Sequence, residues 1–130
     1  MYKRQKTTFI KKVKYFSNEE FDSPDFPGSG SRMDDSFLFM LDTARQTAGI
    51  PFRINSGFRT PKHNKKVGGA ENSSHLRGFA ADIYAVSSAE RFSILSALIQ
   101  VGFTRIGISN TFIHVDNDPI KTQNVIWTYA

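Results

Sequence analysis

The chain has 130 residues, the length of one domain, and its 39% hydrophobic and 22% charged residues are typical of a globular protein. It has no cysteine, which excludes disulfides and thiolate metal sites, so any metal site must use histidine and carboxylate ligands. No apolar run approaches the roughly 20 residues that cross a bilayer, so we expect no contact with a membrane.

The opening MYKRQ reads like the translation of a transposon end, and we interpret residues 1–5 as a cloning or assembly scar. Without Lys3 and Arg4 the chain keeps 15 of its 17 basic residues against 12 acidic ones, a net charge of +3 instead of +5. That charge suits an anionic polymer but is weak evidence for nucleic acid, and KKVK at 11–14 is typical of a solvated face. We expect no nucleic-acid partner. No signal peptide is recognisable, which favours synthesis in the cytoplasm.

Residues 6–32 are predicted to form an irregular N-terminal arm. Within this arm, YFSNEEF predicts a short helical turn, because Ser17 and Glu20 have the spacing of a capping box. The following stretch DSPDFPGSGS is rich in Pro, Gly and Ser, which breaks regular structure. The domain itself is therefore predicted at 33–130.

Two main helices are predicted in this domain. Residues 34–48 carry apolar side chains at helical spacing, and Gly49 ends that helix. A second helix is predicted at about 88–101, because Ser87 and Glu90 form a capping box at its start. The apolar face of the second helix is expected to contain Phe92, Leu95 and Ile99.

Five short strands are predicted around these helices. The first runs from about Phe52 to Ser56, and the others lie in GFAADIYAV, FTRIGIS, TFIHVD and NVIWTY. A long polar loop, with a helical turn after Pro61, separates the first two strands. This order of elements predicts an α+β domain with a small, mainly antiparallel sheet packed against the two main helices.

Two of the three histidines and one aspartate lie at the borders of predicted strands. Asp82 lies in the alternating run Ala80–Tyr84 and His114 in FIHVD, so each points to one face of its strand. If these strands pair, Asp82 and His114 converge, and His75 comes from the loop before the first of them. Catalytic zinc sites use such sets, with three protein ligands and an open fourth position. Taken singly, the histidines could be packed core residues, and Asp82 could cap a turn.

Three ordered sequence blocks extend this pattern: SGFRT at 56–60, SSHLRGFAAD at 73–82 and HVD at 114–116. Together they resemble the pattern of the zinc D-alanyl-D-alanine carboxypeptidase family, which includes murein endopeptidases and phage endolysins. The likeness covers roughly residues 15–117 and is less clear after Pro119. It implies a fold like that of hedgehog and DD-peptidase domains, with the zinc site at the sheet.

The resemblance implies one zinc ion per chain, with His75, Asp82 and His114 as its ligands. Arg59 would hold a substrate carboxylate or polarise the scissile carbonyl, since a guanidinium stays charged and offers paired donors. Taken alone, Arg59 is more simply a surface arginine in a turn. Ser73 would donate a hydrogen bond to the substrate or orient the loop of His75.

The general base does not follow from the resemblance. Many relatives carry a glutamate three residues before the last ligand, where this chain has Thr111. Asp116 is the best replacement, either as the base that takes a proton from the zinc-bound water or as a residue that only orients a ligand. Glu71 and Asp118 are weaker candidates for the base, and His63 is assigned no ligand role.

The resemblance implies a zinc metallopeptidase that hydrolyses D-amino-acid-containing peptide bonds in the stem peptides of bacterial peptidoglycan, as a carboxypeptidase or an endopeptidase. We expect a monomer whose catalytic domain, at 33–130, acts on the cell wall, as a phage lysis or virion-associated enzyme does. The alternative is a non-enzymatic, zinc-stabilised cell-wall-binding domain, which the missing glutamate keeps open.

Overall fold

The computed structural model describes residues 13–129, so the predicted scar at 1–5 and the first part of the predicted arm and of the KKVK run lie outside the described residues. Within that range, the chain forms the predicted α+β domain, with one five-stranded sheet and three α-helices. The helices are α1 (Asp35–Ala48), α2 (Pro61–Lys66) and α3 (Ser88–Gln100). The strands are β1 (Ile54–Ser56), β2 (Ala80–Tyr84), β3 (Arg105–Ile108), β4 (Phe112–Asp116) and β5 (Val125–Thr128).

The sheet has the strand order β1–β2–β4–β3–β5. Its neighbouring strands are antiparallel except for β3 and β5, which are parallel, so the prediction of a mainly antiparallel sheet is confirmed. The register places one residue of each strand in a single cross-strand row. From β1 to β5, this row consists of Ser56, Asp82, His114, Gly107 and Trp127.

The opposite face of the sheet packs against α1 and α3. Because side chains alternate along a strand, the neighbours of the row residues point away from it and into the core. Ile83, Ile113 and Val115 are fully buried there. They belong to one apolar cluster that includes Phe37 and Leu41 of α1. The helices therefore cover one face of the sheet, and the face that carries the cross-strand row is left for polar residues.

Hydrogen bonds at their ends fix the bounds of the main helices, and Gly49 and the Ser87–Glu90 box do so as predicted. The side chain of Asp34 accepts a hydrogen bond from the backbone N–H of Phe37 at 2.9 Å, and Gly49 ends α1 with a φ of 71°. Ser87 and Glu90 form the predicted capping box of α3. These local signals place both helices within one or two residues of their predicted bounds.

The prediction for the apolar face of α3 is wrong. Phe92 is 74% exposed and Ile99 is 51% exposed, and Leu95 is only partly buried. The helix instead buries Ile94 and Leu98, together with Ala97, against α1 and β4. Apolar residues occur on more than one side of α3, so their spacing alone does not identify the side that packs.

The described part of the arm, residues 13–32, packs into the same core. It is irregular apart from two 3-10 turns, Asn18–Phe21 and Ser29–Arg32, and Phe21 is fully buried. The backbone N–H groups of residues 14 and 15 donate to the carboxylate of Asp42 in α1, at 3.0 and 2.8 Å. The arm thus contributes to the stability of the domain, and its boundary at residue 33 stays a prediction. Among residues 13–129, no helix combines the length and apolar character that a membrane crossing requires.

Candidate metal centre and cleft

The polar face of the sheet carries a cluster of three buried ligand side chains. His75, Asp82 and His114 each offer one ligand atom, and these atoms lie within 4.8 Å of one another. Oδ1 of Asp82 is 3.3 Å from Nε2 of His75 and 2.9 Å from Nδ1 of His114. Ligands bound about 2.0 Å from a tetrahedral zinc ion lie about 3.3 Å apart. The donor set and its spacing therefore fit one zinc ion.

His75 is held by the 3-10 turn Ser74–Arg77. The side chain of Ser73 caps this turn and accepts a hydrogen bond from the backbone N–H of His75 at 3.2 Å. Nδ1 of His75 donates to the carbonyl oxygen of Gly57 at 2.7 Å, which leaves the lone pair of Nε2 for a metal. Gly78 then ends the turn with a φ of 79°, a conformation that favours glycine, and leads into β2. Two roles were predicted for Ser73, contact with the substrate and orientation of the His75 loop. The hydrogen bond from His75 supports the second.

Asp82 and His114 face each other as directly paired residues of β2 and β4. Burial raises the pKa of Asp82, but hydrogen bonds with His114 and His75 outweigh it and hold that pKa well below its usual range. Burial lowers the pKa of His114, and its bonds with Asp116 and Asp82 more than compensate, so that pKa is raised. The ionised form of Asp82 is therefore favoured, and a metal bound at Nδ1 of His114 would displace the proton from that nitrogen.

Asp116 holds the far side of the His114 ring. Nε2 of His114 donates to Oδ2 of Asp116 at 2.7 Å. Oδ1 of Asp116 accepts from Nε of Arg105 at 2.7 Å and from the backbone N–H of Asp118 at 3.1 Å. Burial raises the pKa of Asp116, but the bonds from His114 and its other donors lower it overall. Both carboxylate oxygens are thus engaged, as expected for a carboxylate that fixes the orientation of a metal ligand.

Arg59 lies against the cluster and is largely buried, with 14% of its side chain exposed. Its Nε donates to Oγ of Ser56 and its Nη1 to Oδ1 of Asn64, both at 3.1 Å. Nη2 approaches Oδ2 of Asp82 at 3.4 Å. These contacts hold the guanidinium in place beside the metal ligands.

The other predicted candidates lie outside the cluster. Asp118 is fully buried, where it accepts hydrogen bonds from Oγ of Ser74 at 2.6 Å and from the guanidinium of Arg77. Glu71 is exposed, and His63 lies on the short helix α2. Neither they nor Asp118 belong to the group of ligand atoms that converge.

A cleft of about 460 Å³ opens over the cluster. Among the described residues, the cations that line it are Arg59, Arg105 and Lys121, and its aromatic wall includes Trp127 and Tyr129. Sequence reasoning missed the last four of these residues because no motif marks them. Arg105 and Trp127 reach the cleft because β3 pairs with β4 and β5 pairs with β3, and Lys121 and Tyr129 lie before and after β5. The one available signal was the alternation in NVIWTY, which points its single tryptophan to one face.

Comparison with known proteins places these residues in a family. The residue pattern of peptidase M15 matches residues 14–116, which include the metal cluster and Asp116. A relative from Streptomyces albus G, the zinc D-Ala-D-Ala carboxypeptidase, is 43% identical over 70 residues. That alignment covers 53% of this chain but only 27% of the relative's length. Since the family pattern spans most of the chain, the protein belongs to the peptidase M15 family.

Proposed function

We propose that the protein is a zinc-dependent peptidase that hydrolyses D-alanine-containing stem peptides of bacterial peptidoglycan. The observation that carries the proposal is the convergence of three buried ligand atoms, from His75, Asp82 and His114, at the floor of a cleft in a peptidase M15 chain. The substrate class comes from the named activity of the aligned relative.

His75, Asp82 and His114 would hold one zinc ion and leave a fourth position toward the cleft. A bound zinc ion supplies a Lewis acid that polarises a peptide carbonyl and lowers the pKa of a water molecule to about 7. Hydrogen bonds with other groups of the chain orient two of these ligands before the ion binds. Gly57 fixes the tautomer of His75, and Asp116 fixes the ring of His114.

Arg59 would stabilise the negative charge that develops on the carbonyl oxygen during attack. Its guanidinium is already held by Ser56 and Asn64, so little reorganisation is needed when that charge appears. The same group could instead bind a carboxylate of the substrate. An Arg59→Lys variant would separate these roles, because a lost transition-state contact lowers kcat whereas a lost carboxylate contact raises KM.

For Asp116 we propose the positioning role in preference to that of general base. Both of its oxygens accept hydrogen bonds from groups of the chain, and the bond from His114 already fixes the ring of a candidate ligand. The contacts of Asp116 therefore support the positioning role.

Digestion of purified peptidoglycan tests the proposed activity. Zinc-loaded protein should release peptide fragments, and a chelator or the His75→Ala change should abolish the release. Mass analysis of the fragments identifies the bond. A carboxypeptidase releases single D-alanine, whereas an endopeptidase, as in phage lysis, separates cross-linked peptides. Intact peptidoglycan after treatment with fully loaded protein would contradict the proposal.

A non-enzymatic, zinc-stabilised cell-wall-binding domain is the second candidate. The observation that favours it is Thr111 at the position of the expected glutamate, combined with the engagement of both oxygens of Asp116. In that case the loaded protein would sediment with peptidoglycan and lose this binding on chelation, while no fragment is released.

A further inference from the structure

Trp127 lies beside the metal cluster because Gly107 leaves space for it. Gly107 is paired with His114 on one side and with Trp127 on the other, so the three residues lie side by side on the cleft face. A Cβ atom at Gly107 would lie 2.5 Å from Nε1 of the indole, closer than van der Waals contact allows. The indole therefore reaches across β3, and its ring centroid is 5.5 Å from that of His114.

The indole is held from the side of β3 as well. The guanidinium carbon of Arg105 lies 5.1 Å from the ring centroid of Trp127. Phe112 and Tyr129, with ring centroids 5.2 Å apart, continue the aromatic surface along the cleft. Trp127 is only partly buried, and it lines the cleft. It also lies beyond residue 116, where the family match ends.

The cleft thus has two chemically different parts. Its cations, among them Arg59 and Lys121, can orient carboxylate or carbonyl groups of a peptide but offer little to an apolar side chain. The flat indole beside His114 offers such a surface, next to the position where a scissile bond would lie. A small apolar side chain, such as the methyl group of alanine, is stabilised when it is buried against such a ring.

We propose that Trp127 is a substrate-binding residue whose indole packs against the apolar side chain of the peptide residue bound beside the metal cluster. This inference rests on the proposed peptidase function. It means that β5, which lies outside the residues that match the family pattern, contributes to substrate specificity.

Fluorescence tests the contact directly, because Trp127 is the single tryptophan of the chain. The probe is a stem peptide ending in D-alanyl-D-alanine whose scissile amide is replaced by a phosphinate, so that it binds without hydrolysis. Acrylamide quenching is measured on zinc-loaded protein with and without this peptide. Since pockets enclose most of a bound ligand, we expect the quenching constant to fall by about half. An unchanged constant at peptide concentrations that saturate binding by calorimetry would overturn the inference.

The Trp127→Leu variant separates substrate contact from support of the metal site. We expect the dissociation constant of the peptide and KM to rise about tenfold, because the variant loses one well-packed ring contact. The values of kcat and of the zinc affinity should change little. Trp127→Phe should recover part of the affinity. Phe92→Leu, on the exposed side of α3, is the matched control and should change neither the dissociation constant of the peptide nor KM. A variant with weaker zinc binding and an unchanged KM would show that Trp127 only supports His114.

The outcomes for the two proposals are distinguishable. If the wild-type protein hydrolyses the natural peptide while bound analogue leaves the indole accessible, the role of Trp127 is wrong and the peptidase function stands. If the zinc-loaded protein neither hydrolyses nor binds these peptides, the proposed function fails and the role of Trp127 fails with it.

Discussion

Asp82 and His114 occupy directly opposite positions on two antiparallel strands, and Oδ1 of the aspartate lies 2.9 Å from Nδ1 of the histidine. Ligands that face each other in this way require little rearrangement to bind a metal. His75 joins them from the turn that precedes β2. The three side chains are therefore brought together by the pairing of β2 with β4 and by the adjoining turn, so the cluster forms only when this part of the fold is formed.

The first prediction concerns metal content. Protein purified without chelator should contain one zinc ion per chain, and Asp82→Ala and His114→Ala should each remove it, because each deletes one of three ligands. Elemental analysis of dialysed protein measures the ratio. His63→Ala is the control and should keep the metal, because His63 lies outside the cluster. Loss of zinc from the control would show that the wrong histidines were assigned.

The second prediction concerns Asp116. Asp116→Asn should weaken zinc binding by roughly 10 to 100 fold, because the bond that orients His114 is weakened. At saturating zinc, turnover should be close to that of the wild type. If Asp116 is the general base, the reverse is expected: Asp116→Asn should retain zinc binding, and its turnover should fall by about a hundredfold or more. Zinc titration of both proteins, followed by activity measurement at saturation, decides between the two roles.

The third prediction tests the packing of α3. Ile94 is 1% exposed, so Ile94→Ala should lower the free energy of unfolding by about 2–5 kcal/mol. Phe92 is 74% exposed, so Phe92→Ser should change it by less than about 0.5 kcal/mol. Urea unfolding of the two variants provides the comparison. A larger loss for Phe92→Ser would mean that this side of the helix is covered in solution.

The fourth prediction concerns the stability contributed by Asp118. Burial raises its pKa, but hydrogen bonds from Ser74, Arg77 and the backbone of Ile120 outweigh burial and lower it. Asp118→Asn should therefore lower the free energy of unfolding at neutral pH by about 1–3 kcal/mol. Arg77 is partly exposed and contributes the smaller share, because solvent screens its charge.

The pH dependence of this effect has a definite sign. A carboxyl group with a lowered pKa in the folded state stabilises the fold above its unfolded pKa of about 3.9, and this contribution is lost as the pH falls through the folded pKa. The difference in Tm between wild type and Asp118→Asn should be constant above about pH 5 and shrink below about pH 4. A difference that does not change with pH would exclude the charge of Asp118 as its source.

Local sequence signals predicted much of the fold and the cluster. The capping box of Ser87 and Glu90 consists of short-range hydrogen bonds, so the sequence near it is sufficient to place the start of α3, whereas α1 was predicted from its apolar spacing. The strand pattern around Asp82 and His114 also gave the correct facing of both side chains. His75 was predicted to come from the loop before β2, but that loop has no periodic pattern from which the direction of its side chain could be predicted.

Features that depend on tertiary packing were not predictable in the same way. The buried side of α3 is selected by its contact with α1 and β4, and the apolar pattern of the helix fits more than one side. The approach of Arg105 and Trp127 to the cleft depends on the order of β3 and β5 in the sheet, and the sequence of neither strand predicts that order.

The pairing of Asp82 with His114 has a consequence for the assembly of the sheet. If β4 slipped by one residue against β2, every side chain of β4 would turn to the opposite face, and Ile113 or Val115 would stand opposite Asp82. Such a misaligned chain could not bind the proposed zinc ion with these ligands and would lack the stabilisation that binding provides. Zinc binding would therefore favour the native alignment of β2 and β4, and starving a cell of zinc should increase the share of newly made chains that proteases remove.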